Sequence, residues 1–241
     1  MIEEGDRVLL VRPDREFYVQ AGNRQYATDL GTVDLSVLIG GEPGDVVRTH
    51  LGSEFVVRVP RAPDFFTHAA RSGAPMLPKD IGLVIAHTGM NRNDEVLDAG
   101  TGSGIAVIYY AGIAKSVKTY EIRENFSKMA AKNLKAARLD NVEIVEGDVL
   151  KADGKYDIVH LDLQVSPGHI THAYDLLRPG GFLACYSPFL EQLFLVVEEA
   201  KKIFPEVHIR ECIEREIVRS LRGTRPSTRV SHSGYLTFAR K

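Results

Sequence analysis

The sequence contains no tryptophan and only two cysteines, Cys185 and Cys212, in 241 residues. Two cysteines can form neither a disulfide framework nor a cysteine-based zinc site, so we expect both thiols in or near the core. No apolar run is long enough to span a bilayer, and the acidic residues 1–6 lack the apolar region of a secretory signal. These absences argue against disulfide-stabilised secreted domains and transmembrane proteins, and they favour a cytoplasmic protein.

The sequence also lacks an excess of charge of either sign. Thirty Lys and Arg residues are balanced by 32 Asp and Glu residues, which leaves a formal net charge of −2. Such a protein does not attract nucleic acid over its whole surface, so any site for a polyanion must be local. The length and the hydrophobic content of 44% suit one large domain, or one domain with a smaller one.

A glycine-rich stretch at residues 95–104 is the feature around which the sequence is organised. An apolar strand leads to Asp98, three glycines follow at alternate positions, and an apolar helix begins at Ile105. Glycine allows the backbone to bend sharply and to approach a ligand closely. The G-x-G-x-G spacing after an acid differs from the G-x-G-x-x-G of dinucleotide enzymes and is typical of the S-adenosylmethionine (SAM) loop of class I methyltransferases. A tight turn without a ligand is the alternative interpretation.

From residue 95 onward, predicted strands alternate with predicted helices, which indicates a mostly parallel sheet covered on both faces. The seven strands are expected near residues 95–99, 117–121, 142–146, 157–161, 182–187, 207–213 and 235–239. The predicted fold class is therefore α/β, with the Rossmann-like seven-stranded sheet of class I methyltransferases. In this fold class the final strand usually inserts antiparallel to the others.

Four acids follow four consecutive predicted strands: Asp98, Glu121, Asp148 and Asp162. Ligands of open α/β sheets bind beyond the carboxyl ends of the strands, where these side chains would meet. Glu121 is placed to accept hydrogen bonds from ribose hydroxyls, Asp148 from the exocyclic amine of an adenine, and Asp162 lies where a transferred methyl group would point. Each acid alone could be a solvated loop residue or a helix cap, but four at consecutive strand ends favour a site.

Several motifs together resemble the archaeal and bacterial tRNA (adenine-N1)-methyltransferase family. These are Pro78-Lys79-Asp80, the loop at residues 98–104, residues 120–123, Leu161-Asp162-Leu163, residues 177–181, Arg225-Pro226 and residues 232–241. The glycine loop is shared by many methyltransferases, whereas Pro78-Lys79-Asp80 combined with the C-terminal run is more specific. The resemblance covers nearly the whole chain.

The resemblance implies a SAM-dependent enzyme that forms N1-methyladenosine in the tRNA T-loop, at position 57 or 58, and that assembles as a homotetramer. Asp162 matches the catalytic residue of the family, with its carboxylate accepting a hydrogen bond from the N6 amine of the adenine. No metal is required. The implied cofactor-binding residues are Asp98, Gly100, Thr101, Gly102, Ser103, Gly104, Glu121 and Asp148.

Some positions depart from the family pattern. Gln164 stands where the family often has a proline, Ser166 and Pro167 where it often has Pro-Trp, and Ala74 and Leu77 where it usually carries a glutamine and an aromatic residue. The SAM site is accordingly better supported than the adenine site. Two other functions stay open: a methyltransferase acting on a protein or small molecule, and a non-catalytic RNA-binding subunit.

The C-terminal region supplies the local positive charge that an RNA partner requires. Residues 214–241 contain seven Lys or Arg and two acids. Arg219, Arg222 and Arg225 are the predicted RNA-binding residues, and Arg229 lies in the same basic stretch. A solvated charged hairpin without a ligand is the alternative.

The region before residue 61 predicts a separate small β domain. Short strands alternate with turn signals such as Pro13-Asp14 and Gly22-Asn23, which suggests a small barrel or rolled sheet. We expect a β domain over residues 1–60, a linker over 61–77 and the methyltransferase domain over 78–241. The small domain is either a docking or oligomerisation module or a passive structural cap.

Overall fold

The computed structural model describes residues 1–71, 73–228 and 232–241, which form two compact units. The first unit comprises Met1–Ala69 with Lys135–Arg138, and the second comprises Ala70–Leu134 with Leu139–Lys241. Within the described part of the chain, no helix is long and apolar enough to cross a membrane.

The first unit contains short antiparallel strands and one α-helix. Its elements are β1 (Arg7–Arg12), β2 (Arg15–Gln20), β3 (Gln25–Thr28), β4 (Gly31–Asp34), β5 (Val46–Arg48), β6 (Glu54–Arg58) and α1 (Ala62–His68). Four strands form a sheet in the order β2-β1-β6-β5, and β3 pairs with β4 in a separate hairpin. Val8, Leu10 and Phe55 are fully buried between these elements. The predicted N-terminal β module is confirmed, and α1 lies within its compact unit.

The second unit is a mixed sheet covered by helices. Its elements are α2 (Pro78–Thr88), β7 (Glu95–Ala99), α3 (Ile105–Ala111), β8 (Ser116–Glu121), α4 (Glu124–Ala136, of which the last two residues belong to the first unit), β9 (Val142–Glu146), β10 (Tyr156–Leu161), α5 (Pro167–Leu176), β11 (Leu177–Ser187), α6 (Leu190–Ile203), β12 (Glu206–Glu211), β13 (Ile217–Ser220), β14 (Gly223–Pro226) and β15 (Tyr235–Arg240). Seven strands form one sheet in the order β12-β15-β11-β10-β7-β8-β9. Strand β15 is antiparallel to both of its neighbours, whereas the pairs from β11 to β9 are parallel. The predicted seven strands and the antiparallel final strand are confirmed.

The sequence explains why these elements form where they do. The central strands are nearly continuous apolar runs because helices cover both faces of the sheet, and Leu97, Leu161 and Leu183 are almost fully buried. Helix α2 begins with Pro78 at its first position, where no backbone N–H is needed, and ends at Gly89 in the left-handed conformation. This order of strands brings the carboxyl ends of β7, β8, β9 and β10 together at one edge.

Both cysteines are free thiols on or beside the large sheet. Cys185 on β11 is fully buried, and burial raises the pKa of its thiol. Cys212 follows β12 and is half-buried. The prediction of core or near-core thiols is confirmed.

Candidate active site at the carboxyl edge of the large sheet

The glycine loop between β7 and α3 requires glycine for packing. Gly100 has a φ of 93°, and a Cβ atom added there would lie 1.9 Å from the backbone oxygen of Asp162. Gly104 has a φ of 80°, and its added Cβ would lie 3.2 Å from the Cβ of Ala130 on α4. The loop therefore lies directly against the end of β10 at Gly100, where no side chain fits, and close to α4 at Gly104, where the positive φ also favours glycine.

Asp98 lies beneath this loop and is bonded to two neighbouring strands. Its side chain is buried, with Oδ1 2.7 Å from Nδ1 of His160 on β10, and Oδ2 accepts a hydrogen bond from the hydroxyl of Thr119 on β8. Thr101 in turn contacts the Thr119 hydroxyl at 2.5 Å. The carboxylate of Asp98 on β7 thus links this strand to both of its neighbours, β8 and β10.

Glu121 closes β8 and is also buried. Its carboxylate accepts hydrogen bonds from the backbone N–H of Gly102 at 2.9 Å and from Nε of Arg123 at 2.8 Å. Burial raises the pKa of Glu121, but these hydrogen bonds and the positive charge of Arg123 outweigh it, so the pKa is lowered overall. The group is therefore an ionised hydrogen-bond acceptor at neutral pH.

The larger of two adjoining cavities extends from Glu121 towards α5. Its volume is about 480 Å³, and Ile122, Val149 and Leu163 line it together with Asp148. The Asp148 carboxylate is exposed and accepts a hydrogen bond from the backbone N–H of Leu150 at 2.9 Å. An apolar cavity with two carboxylates at its rim suits a nucleoside, whose ribose and base amine both donate hydrogen bonds.

The smaller cavity, of about 200 Å³, lies on the other side of Gly100. It is lined by Asp98, Thr101, Gly102 and Ser103 of the glycine loop, and by His160. Gly104 follows as the residue that caps α3. The eight predicted cofactor residues are therefore all at this sheet edge, around or directly beside the two cavities.

Asp162 follows β10 and lines both cavities. Its backbone N–H donates to the carbonyl of Ala99 at 2.8 Å, which holds the residue against the glycine loop. Burial raises the pKa of Asp162 from 3.8 to about 6, and the charge of Asp98 adds to this, while His160 and Arg123 act in the opposite direction. The residue predicted to be catalytic is thus a half-buried carboxyl group at the junction of the two cavities.

Several residues at the site were not identified from the sequence. His160 is fully buried against Asp98, and Arg123 lines both cavities with its guanidinium group 3.7 Å from the centre of the Phe126 ring. His169 on α5 lines the larger cavity, and burial lowers the pKa of its imidazole. His160 becomes recognisable once β7 and β10 are known to be neighbours in the sheet, because Asp98 and His160 are then register partners.

Two of the positions that depart from the family pattern line these cavities. Ala74 lines the smaller cavity and Gln164 the larger one, whereas Leu77 is the residue immediately before α2. Ala74 and Gln164 are therefore the departures that face the proposed binding cavities.

The predicted RNA-binding arginines lie on the β13–β14 hairpin. Arg219, Arg222 and Arg225 are all exposed. Arg219 pairs with Thr224, and Arg225 pairs with Val218, so the first and last arginines occupy opposite faces of the hairpin, with Arg222 at the turn. Arg229 lies outside the described residues. The arginines surround the hairpin tip rather than forming one flat basic face.

The hydrogen-bonding groups and the shapes of the two cavities fit SAM. Glu121 and Asp148 supply acceptors beside an apolar cavity, and the glycine loop separates that cavity from a polar one lined by Asp98, Thr101 and Ser103. An adenosine in the larger cavity and an amino-acid moiety in the smaller one match these chemistries. No group of three or more His, Cys, Asp or Glu residues in the described part of the chain could hold a metal ion.

Comparisons with known proteins agree with this geometry. The family model described as "tRNA methyltransferase complex GCD14 subunit" matches residues 59–222. The tRNA (adenine(57)-N(1)/adenine(58)-N(1))-methyltransferase TrmI of Methanocaldococcus jannaschii is 33% identical, over 97% of this chain and 94% of its own. The tRNA (adenine(58)-N(1))-methyltransferase TrmI of Thermus thermophilus is also 33% identical, over 71% of this chain and 70% of its own.

Two solved structures match the whole chain. A SAM-dependent O-methyltransferase from Thermotoga maritima is 28% identical with a TM-score of 0.87, and the match covers 100% of this chain and 94% of the other. The tRNA (m1A58) methyltransferase TrmI from Aquifex aeolicus has a TM-score of 0.81 at 23% identity, over 100% and 98% of the two chains, and supports the fold.

Proposed function

The chain belongs to the GCD14 family of tRNA methyltransferases, which are SAM-dependent, and we propose that it methylates N1 of adenine 58 in the tRNA T-loop. Adenine 57 is a second target position, because the relative from Methanocaldococcus jannaschii is named for both. The observation that carries the proposal is the position of Asp162, a half-buried carboxyl group where the two cavities meet. A methyl donor and a base brought to that junction would both contact it.

Different residues of the site would bind different parts of SAM. Glu121 would accept hydrogen bonds from the ribose hydroxyls once Arg123 gives up part of its contact with the carboxylate, and Asp148 would accept one from the adenine amine. Asp98, Thr101 and Ser103 would surround the amino-acid moiety in the smaller cavity. When bound, SAM supplies an electrophilic methyl group, so the protein contributes mainly position and electrostatics.

Asp162 has the chemistry to assist attack by a weak nucleophile. As a carboxylate it would accept a hydrogen bond from the N6 amine of the target adenine, which raises electron density at N1. Its negative charge also offsets the positive charge that the base acquires on methylation. The base must first leave its stack in the folded T-loop, at a cost of a few kcal/mol. The arginines of the β13–β14 hairpin are proposed to contact RNA phosphates and to help offset this cost.

Labelled SAM, unmodified tRNA and the purified protein provide the direct test. We expect one N1-methyladenosine per tRNA at position 58. This product should disappear when adenine 58 is replaced by another base, and any further label should be at position 57. Nucleoside analysis after digestion identifies the product. Label in a base other than adenine, or no transfer to tRNA while SAM still binds, would contradict the proposal.

A second candidate is O-methylation of a protein or a small molecule. It is favoured by the Thermotoga maritima structure, which is a SAM-dependent O-methyltransferase and matches this chain over its full length. SAM binding without tRNA methylation would support it. A non-catalytic RNA-binding subunit would instead bind tRNA and show no SAM binding in titration calorimetry.

Two further properties are proposed from the family resemblance. A homotetramer is expected, and light scattering coupled to size-exclusion chromatography measures its mass. The cytoplasm is the expected compartment of an enzyme that acts on tRNA, and fractionation of cells tests this.

A further inference from the structure

A buried lysine beside the site connects parts of the chain that are far apart in sequence. The ammonium group of Lys79 donates hydrogen bonds to Oδ1 of Asp80 at 2.7 Å, to the carbonyl of Cys212 at 2.7 Å and to the hydroxyl of Ser233 at 2.5 Å. Ser233 donates in turn to Oδ2 of Asp80 at 2.8 Å. We call these four groups the Lys79 clamp. Only 7% of the Lys79 side chain and none of the Asp80 side chain are exposed.

The clamp joins both ends of the segment that carries the arginine hairpin. Cys212 directly follows β12, and Ser233 lies two residues before β15. The hairpin β13–β14 lies between them in sequence. A second tie is formed by His232, which contacts Glu211 at 2.9 Å and the carbonyl of Pro188 at 3.0 Å. The segment therefore leaves and rejoins the domain at one fixed base.

The hairpin itself has little to hold it in place. Seven of its eight strand residues are exposed, and the eighth, Val218, is half-buried. A two-stranded hairpin that buries so little apolar surface is marginal by itself, so its direction depends on where its ends are attached. The groups at its base thus determine where the three arginines are presented.

The clamp lies at the same edge of the large sheet as the active site, because β12 ends and the antiparallel β15 begins at that edge. The hydroxyl of Tyr186 on β11 donates to the carbonyl of Ser233 at 2.6 Å, and the Tyr186 ring would collide with any side chain at Gly234. Burial raises the pKa of Tyr186 to about 12, and the negative charges of Asp80 and Asp162 both contribute. One tyrosine thus lies within electrostatic reach of the clamp and of the predicted catalytic carboxylate.

We propose that the Lys79 clamp is a positioning device, which fixes the base of the arginine hairpin beside the active site so that the arginines meet the phosphates of the bound RNA. The inference rests on the proposed function, because it takes RNA as the partner of the hairpin. Lys79, Asp80 and Ser233 are positioning residues in this account, and none of them contacts the substrate. The clamp thereby gives Lys79 and Asp80 of the Pro78-Lys79-Asp80 motif a physical role.

The test measures tRNA affinity with Ser233→Ala, which removes one clamp hydroxyl and leaves the lysine two acceptors. We expect tRNA affinity to fall about three- to tenfold, the scale of one hydrogen bond, with SAM affinity unchanged. Ser233→Thr keeps the hydroxyl and should bind tRNA like the unchanged protein. The double variant Lys79→Met with Asp80→Asn removes both charges together, so neither is left buried and alone, and should have a larger effect. Trypsin should cleave the hairpin faster in both weakened variants.

A double-mutant cycle separates positioning from general stability. In a protein whose Arg219, Arg222 and Arg225 are all changed to Ala, Ser233→Ala should cause no further loss of tRNA affinity, because the clamp acts through those arginines. An equal loss in both backgrounds would overturn the proposal, and so would a parallel loss of SAM affinity.

The outcomes also separate this proposal from the proposed function. If tRNA binds but is not methylated, the proposed function is wrong, and the double-mutant cycle on tRNA affinity still tests the role of the clamp. If the triple arginine variant binds tRNA as well as the unchanged protein and tRNA is methylated, the clamp proposal fails and the function stands.

Discussion

Asp162→Asn is expected to make the protein more stable and less active, and both effects should depend on pH. Folding raises the pKa of this carboxyl from 3.8 to about 6. A raised acid pKa means that the folded state holds the proton more tightly than the unfolded state. The associated stability is therefore fully present below pH 3.8 and is lost as the pH rises towards 6.

The size of the effect follows from the same values. At about 1.4 kcal/mol per pH unit, the gap between 3.8 and about 6 corresponds to at most about 3 kcal/mol. An uncharged asparagine avoids this cost at every pH. Compared with the unchanged protein, the variant should have a free energy of unfolding higher by up to about 3 kcal/mol at pH 8, but by only about 1 kcal/mol at pH 4.5.

The assay combines urea unfolding with kinetics. Without SAM, denaturation curves at about pH 4.5 and 8 give the two stability differences. The kcat/KM for SAM reports ionisations of the free enzyme, so it should fall about tenfold between pH 7 and 5 in the unchanged protein and lose this dependence in the variant. Single-turnover methylation at pH 8 should fall about 10²-fold. Asp162→Ala should likewise keep SAM affinity and lose rate.

Two results would refute this reasoning. If the stability difference is the same at both pH values, Asp162 is not a desolvated carboxyl group. If the variant is destabilised and keeps its rate per folded molecule, Asp162 only caps the turn before α5, and most of the case for adenine methylation is lost.

Three other predictions concern the cofactor loop and the RNA surface. Glu121→Ala should weaken SAM binding by roughly 1.5–3 kcal/mol in titration calorimetry, because the ribose loses a charged acceptor, and unchanged affinity would remove Glu121 from the site. Gly100→Ala should destabilise the protein severely, since its Cβ would lie 1.9 Å from the Asp162 oxygen, whereas Gly112→Ala, whose nearest contact is 3.4 Å, should change the melting temperature little. Changing the three hairpin arginines together to Ala should weaken tRNA binding and flatten its salt dependence, and an unchanged slope would place the RNA surface elsewhere.

The sequence predicts the sheet and the positions of its acids because both depend on local patterns. Asp98 and Glu121 lie at the ends of their strands, Asp148 and Asp162 lie just after theirs, and α/β topology brings those ends to one edge. Proposing these acids and the glycine loop as cofactor residues therefore required no knowledge of distant contacts.

The contacts between side chains could not be predicted from such local sequence patterns. His160 is paired with Asp98 because β10 lies beside β7, and Lys79 reaches Ser233 across 154 residues of sequence. Arg123 is only two residues from Glu121, yet its contact with that carboxylate depends on a backbone turn that a pattern of residue types does not describe.

The position of β15 has a consequence for biosynthesis. This strand lies between β11 and β12, and it supplies the buried Leu236 and Phe238 to the sheet. Until residues 235–240 have left the ribosome, a nascent chain displays the unpaired edges of two strands made much earlier, and such edges pair readily with other chains. Newly made protein should therefore depend on chaperones until synthesis has passed β15, and ribosomes that stall shortly before it should release chains that aggregate.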